Sequence, residues 1–255
     1  MTELALEIKN LWKSFGGVKA ISDVSLSVPQ GSLTAVIGPN GAGKTTLFNL
    51  VTSLYPADAG EVKFYGESIL GLGPGEIAAR GLIRTFQTAR IFPGMSALEN
   101  ALAGAHMHAK SAVWRQMLWL PGARAEEHAL AAKADALLEL VGLEPFRNMA
   151  ATDLPMGGQK LLEVVRALMA GPRLLLLDEP AAGLNDAETA DLAELLRAVR
   201  DSGITVIVVE HNMSLVMGVA DRVIVLDAGK SVAAGTPREM QKDKRVIAAY
   251  VGEET

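Results

Sequence analysis

Two stretches of this chain carry residue types suited to phosphate chemistry. The first, Gly38-Pro39-Asn40-Gly41-Ala42-Gly43-Lys44-Thr45-Thr46, fits G-x-x-x-x-G-K-[ST]. Glycines at this spacing let the backbone curl until successive N–H groups point at phosphate oxygens. Lys44 would then reach the β- and γ-phosphates, and the Thr45 hydroxyl would ligate Mg²⁺. The second stretch is Asp178-Glu179, which closes the run Leu174-Leu175-Leu176-Leu177. A buried charge is costly unless it is paired or metal-bound, so acids at the end of such a strand point to chemistry rather than stability. Asp178 is placed to hold Mg²⁺ directly or through water, and Glu179 to take a proton from an attacking water. His211 follows another apolar run, Ile204–Val209. By residue type alone it reads as a structural histidine.

These groups need strands and helices to hold them. Leu33–Ile37, apolar and β-branched, reads as a buried strand before the loop, and Thr46–Val51 as the helix after it. That helix start would add its positive dipole end to the phosphate site. Leu4–Lys9 and Val24–Val28 alternate apolar and polar residues and read as half-buried strands, with Phe15-Gly16-Gly17 as a turn between them. Pro56–Gly60 breaks the chain before strands at Glu61–Tyr65 and Leu82–Phe86. From about 88 to 170 the spacing becomes helical. Leu130, Ala134, Leu137, Leu138 and Val141 share one helix face, and Gly142 sits where a helix stops. The strand–helix alternation then resumes. Leu192, Leu195, Leu196 and Val199 lie on one helix face, with Asn185 or Asp186 as its N-cap. Met213–Ala220 reads as a helix, Val223–Leu226 as a strand and Asp227–Lys230 as a hairpin turn. The expected architecture is α/β with a parallel sheet and right-handed crossovers. Residues 1–87 and 171–255 would form the core with its antiparallel strands, and 88–170 an inserted helical subdomain.

A chain of 255 residues suits one large domain or two smaller ones. No apolar run approaches the ~18 residues a membrane span needs. Met1–Glu7 lacks a basic leader pattern, and there are no cysteines for disulfides or thiolate metal sites, all of which fits the cytosol. A net charge of −5 argues against general nucleic-acid binding. His106 and His108 flank Met107 with no third ligand in spacing and are assigned no metal. Arg80, Arg84 and Arg90 read as solvated or packed at the sheet edge. Ser111–Leu120, apolar nearly all round with Trp114 and Trp119, reads as cover for its own subdomain, with a docking surface as the less favoured alternative.

Taken in order, Gly38–Thr46, Gln87, Leu154-Pro155-Met156-Gly157-Gly158-Gln159, Leu174–Pro180 and His211 resemble the motifs of an ABC transporter ATPase. The resemblance covers nearly the whole chain and implies a P-loop NTPase core of the ABC type, with an antiparallel β subdomain and an inserted helical subdomain. Phe15 falls where an aromatic ring stacks on adenine. Gln87 resembles the glutamine whose loop contacts Mg²⁺ or water and senses the membrane partner. His211 resembles the switch histidine that touches the γ-phosphate. Pro155, Met156, Gly157, Gly158 and Gln159 resemble the signature that caps a nucleotide held by an opposing subunit. Two departures stand out. Pro155 replaces the family's usual serine, removing a hydroxyl donor whose charge-assisted bond is worth about 1.5–3 kcal/mol. Asn185 stands where a D-loop aspartate is usual.

Gly16–Ala20, Asp178–Asn185, Val209–Met213 and Ala248–Gly252 are similar to the ATPases of branched-chain amino acid importers, the LivG type. The resemblance implies ATP and Mg²⁺. It also implies two transmembrane permeases, a second ABC ATPase as homo- or heterodimer, a periplasmic or extracellular solute-binding protein, and a place on the cytoplasmic face of the membrane. Alternative readings are an ATPase of lipid or lipopolysaccharide export and, less favoured by the acidic charge, a nucleic-acid-associated ABC ATPase.

Overall fold

A computed structural model of the chain describes residues 3–85, 90–105 and 121–251. Among them the strands form two sheets, one of order β2-β1-β4-β5 and one of order β10-β9-β3-β8-β7-β6. Their ranges are β1 Leu4–Phe15, β2 Val18–Pro29, β3 Leu33–Ile37, β4 Ala59–Phe64, β5 Glu67–Ser68, β6 Leu82–Arg84, β7 Leu174–Asp178, β8 Thr205–Val209, β9 Arg222–Asp227 and β10 Lys230–Gly235. The first sheet is antiparallel throughout. In the second, β6 to β9 run parallel with β3, and β10 turns back against β9. The α/β fold expected from the sequence, with separate antiparallel strands, is present.

The chain divides into two compact units. One comprises Met1–Arg84, Arg173–Ala181 and Leu196–Thr255, the other Thr85–Pro172 and Ala182–Leu195. In the first unit, β3, β7 and β8 are buried along their whole length. A parallel strand covered on both faces has no solvent side, so it reads as an unbroken apolar run rather than an alternation. A core built on Ile8, Leu11, Ile21, Leu47, Phe48 and Leu176 joins strands of both sheets to the helix Lys44–Val51.

The first hairpin is longer than the alternation shows, since β1 runs on to Phe15 and β2 begins at Val18. Bulges between Ile8 and Leu11 and again near Lys13 break the period of two, which hides the strand from a pattern reading. Asp227–Lys230 is a two-residue hairpin turn, as expected, with Ala228 and Gly229 both at positive φ. The strand expected at Leu82–Phe86 is shorter. It spans Leu82–Arg84, and Phe86 lies outside the described residues.

In the second unit, the helix Pro121–Leu140 buries Ala134 and Leu138, and Val141 just beyond it is buried too. Gly142 follows at φ 68°, the left-handed conformation that ends the helix. The segment Trp114–Trp119 and residues His106 and His108 lie outside the described residues. Asn100 is wholly buried and ties down the preceding loop. Its side chain accepts from the Phe92 N–H at 2.8 Å and donates to the carbonyls of Phe92, Met95 and Ser96 at 3.1–3.3 Å. The helix Asp186–Asp201, assigned to this unit up to Leu195 and to the first unit from Leu196, buries Leu192, Leu195, Leu196 and Val199, the face expected from their spacing.

Candidate functional site

Strand register decides what meets at the carboxyl edge of the parallel sheet. Val36 of β3 pairs with Val209 of β8, and Val209 pairs with Asp178 of β7. The phosphate loop, the acid pair and the segment Glu210-His211 therefore leave three adjacent strands from one row. Open α/β sheets bind ligands beyond this edge.

The loop from Gly38 to Gly43 is shaped by close backbone approaches. At Gly38, φ 150°, a Cβ would overlap the Leu226 carbonyl oxygen. At Gly43, φ 98°, it would lie 2.6 Å from the Ala20 carbonyl oxygen. Gly41, φ 79°, has open space around it, so conformation rather than room calls for glycine there. Gly43 is the N-cap of the helix Lys44–Val51, and Thr45 lies exposed in its first turn. Lys44 is buried and its Nζ donates to the carbonyls of Gly38 and Pro39 at 2.6 and 2.8 Å. The ammonium thus sits inside the loop, where phosphate oxygens would compete for it.

At the end of β7 the two acids have different environments. Asp178 is buried, and its Oδ2 accepts from Arg84 Nη2 at 2.9 Å. Its Oδ1 is buried with no hydrogen-bond partner among the described residues. One carboxylate oxygen held and the other left for an outside partner suits a hard cation such as Mg²⁺, which takes one or two protein oxygens and keeps phosphate and water as its other ligands. The sequence places Glu179 at the end of the strand, but β7 ends at Asp178 and Glu179 has φ 50°. Such a conformation costs of order 1–3 kcal/mol and gathers at functional sites. It turns the Glu179 carboxylate to His211, whose Nε2 lies 2.9 Å from Glu179 Oε1. A carboxylate and an imidazole in contact can pass a proton or orient a water between them.

Arg84 lies on the edge strand β6, as its expected place at the sheet edge requires, but its side chain is only 7 % exposed. Besides Asp178, it donates to Asn49 Oδ1 at 2.7 Å and Thr52 Oγ1 at 3.2 Å, both at the far end of the phosphate-loop helix. Glu210 is a site residue that sequence reasoning misses. It is buried, and burial pushes its carboxyl above the ordinary value while backbone N–H donors pull the other way. An acid directly after an apolar strand is the available signal for Glu210, as it is for Asp178.

Phe15 is 43 % exposed at the end of β1 and meets Tyr55 edge to face, ring centroids 5.3 Å apart. The Lys13 ammonium also lies over this ring, 5.3 Å from its centroid, and the exposed part of the ring is what a stacking partner would meet. Gln87 lies outside the described residues.

In the second unit, Pro155 is the N-cap of the helix Met156–Met169 and makes no side-chain cap. Met156 is strongly exposed, while Gly157 and Gly158 are buried. A Cβ on Gly157 would overlap the Glu188 carboxylate. Gln159 turns back, its amide donating to the carbonyls of Leu154 and Thr152 at 2.9 and 3.2 Å. Its N–H groups therefore brace the turn before the helix. Asn185 is the N-cap of its own helix: its Oδ1 accepts from the Glu188 N–H at 3.0 Å, and Glu188 Oε2 accepts from the Asn185 N–H at 2.9 Å. The amide oxygen does the capping work an aspartate would do.

A glycine-rich loop between a parallel strand and a helix, with paired acids at the end of a nearby strand, defines a P-loop nucleoside triphosphatase. Residues 21–182 match the ABC transporter family model, and the chain belongs to that family, as an ATPase that binds nucleotide. It is 41% identical to the high-affinity branched-chain amino acid transport ATP-binding protein BraF of Pseudomonas aeruginosa, covering 99% of this chain and 100% of that one. Against LivG of Escherichia coli K12, a protein of the same description, identity is 38% over 99% of this chain and 100% of the relative. The fold is similar to an ATP-binding cassette crystallised in its ADP conformation, with TM-score 0.83, 32% identity and coverage of 99% and 100%. A nucleotide-free cassette from an ABC transporter gives TM-score 0.82 and 32% identity over 97% and 98% of the two chains.

Proposed function

We propose that this chain is the ATP-hydrolysing subunit of an importer for branched-chain amino acids. The observation that carries the hydrolytic part is the contact between Glu179 and His211, made just beyond the ends of β7 and β8, with β8 lying between β7 and the phosphate-loop strand. The solute class is supported by relatives matched end to end, which are named for branched-chain amino acid transport.

In this reading the loop amides of Gly38–Thr46 and the Lys44 ammonium bind the β- and γ-phosphates, and Phe15 stacks on the adenine. Asp178, Thr45 and Gln87 would hold Mg²⁺, and the unpartnered Asp178 Oδ1 fits that role. When bound, the ion neutralises phosphate charge. Glu179 accepts a proton from water as the water oxygen bonds to the γ-phosphorus, and the β–γ bridging oxygen departs with ADP. His211 holds Glu179 and the γ-phosphate region in one arrangement.

Pro155, Met156, Gly157, Gly158 and Gln159 cap the nucleotide of an opposing ATPase subunit through the N–H groups that a helix start leaves unpaired. Asn185 supplies the D-loop contact across that dimer. Dimeric ABC cassettes at 25–26% identity support the pairing. Relatives named as transport ATP-binding proteins support a reading with two permease subunits, this chain on their cytoplasmic face and a solute-binding protein beyond them. No helix among the described residues is long and apolar enough to cross a membrane.

Glu179→Gln tests the chemistry. It should bind ATP and accumulate as a nucleotide-bound dimer while turnover falls about 10²–10⁴-fold. Wild-type turnover would refute the role. Reconstitution with the permeases and binding protein, with a panel of labelled solutes, tests the cargo. ATP-dependent uptake of other solutes but not of leucine, isoleucine or valine would refute it.

A further inference from the structure

Glu210 lies between the two loops that carry the Glu179–His211 contact and is 3 % exposed. Its Oε1 accepts from the Ala181 N–H at 2.7 Å. Its Oε2 accepts from the His211 N–H at 3.1 Å and the Asn212 N–H at 3.3 Å. One oxygen is therefore committed to the loop after β7 and the other to the loop after β8. Ala181 is two residues beyond Glu179, whose positive φ must be held by its surroundings to persist. The Glu179 N–H donates to the Val209 carbonyl at 2.9 Å, so this loop is fixed on β8 at one point and on Glu210 at the next.

We propose that Glu210 is a positioning residue for ATP hydrolysis, a carboxylate clamp that sets Glu179 and His211 in mutual register. The proposal rests on the reading of those two residues as the hydrolytic pair. The geometry calls for a carboxylate specifically. A glutamine has one acceptor oxygen and one NH₂ group, so one of the two loops would face a donor with a donor. An aspartate is one methylene shorter and cannot span both loops. Stability does not explain the choice, because burial of the ionised group works against it. Misplacing a reacting group by about 1 Å can cost of order 10²-fold in rate, which gives such a clamp its leverage.

The test is ATPase kinetics of the full chain with Glu210→Gln and Glu210→Asp, alongside binding of a fluorescent ATP analogue. The expected result is a kcat lower by about tenfold or more, with KM and nucleotide affinity within about twofold of wild type. A kcat within about twofold of wild type overturns the proposal, and so does a loss of nucleotide affinity in step with kcat, which marks a general structural role. Should Glu210→Gln not fold, Glu210→Asp is read by the same criteria. Amide hydrogen exchange adds a readout independent of turnover. The Ala181 or His211 amide must lose protection in the variants, and unchanged protection at both overturns the clamp. Glu179→Gln, run in parallel, separates the two ideas. Wild-type turnover in Glu179→Gln refutes the hydrolytic pair itself, whereas an inactive Glu179→Gln beside a normal Glu210→Gln refutes only the clamp.

Discussion

Arg84 Nη2 lies 2.9 Å from Asp178 Oδ2, with the two side chains 7 % and 2 % exposed. The same guanidinium reaches Asn49 and Thr52 on the phosphate-loop helix, so one buried cation ties β6, β7 and that helix together. Removing it would leave a buried carboxylate without its ion-pair partner. Arg84→Met should therefore destabilise the nucleotide-free chain by about 3–5 kcal/mol, measured by urea unfolding. Arg84→Lys should recover only part of this, since an ammonium lacks the planar fork that serves several acceptors at once.

The phosphate loop should be intolerant of a single methyl group at Gly43. Its φ of 98° and the Ala20 carbonyl oxygen 2.6 Å from a built Cβ oppose any side chain. Gly43→Ala should lower stability by about 1–3 kcal/mol and ATP affinity by at least about tenfold, through displaced loop amides. A fluorescent-nucleotide titration beside thermal melting measures both. Gly41→Ala, with no neighbour within 4 Å, should suffer only the backbone part of this cost.

His211→Ala should lower kcat about 10²-fold with a much smaller loss of ATP affinity, because the imidazole contacts Glu179 and most of the triphosphate is held by the loop amides and Lys44. Steady-state kinetics with a direct binding measurement separates the two effects. Equal losses in both would place His211 in nucleotide binding instead.

Gly157→Asp should abolish turnover without weakening ATP binding by the isolated chain. The new carboxylate would meet that of Glu188, which already covers this position, and would disturb the helix start proposed to cap the opposing nucleotide. Nucleotide binding by the monomer together with dimerisation in ATP, followed by light scattering, checks the pair of outcomes.

The pH dependence of stability should carry the mark of Glu210. Burial raises its native-state value above the ordinary 4.5, against the three N–H donors, and the Glu179 carboxylate adds to the rise. A native value above the unfolded one means that the folded chain binds this proton more tightly. The contribution is then fully present below the unfolded value and is lost as pH rises through the native one. Glutamine cannot ionise. The stability of Glu210→Gln relative to wild type should therefore improve as pH rises from below 4.5, with His211 and Glu179 left in place in both proteins. Urea unfolding at a series of pH values measures this difference, and a constant gap would contradict the sign.

Much of this protein is legible in its amino-acid sequence, and the reason is locality. The phosphate loop, its strand and its helix occupy one continuous stretch from Leu33 to Val51, so glycine spacing and apolar runs specify them through backbone conformation alone. The place of Asp178-Glu179 at the end of a strand is legible because the four leucines before it form one unbroken apolar run. The face of the helix Asp186–Asp201 and the hairpin turn at Ala228-Gly229 are legible for the same kind of reason. Tertiary structure alone decides the rest. The strand order β3-β8-β7-β6 is a long-range choice that no periodicity encodes, and it brings Arg84 to Asp178 across 94 residues and Glu210 to Ala181 across 29. The turn of Glu179 to positive φ and the bulges that hide the length of β1 likewise depend on what packs alongside. Residue spacing fixes which groups a chain can offer within a turn or two. Which distant carboxylate meets which guanidinium or N–H is fixed only when the strands pair, because the free energy of those contacts exists only after pairing.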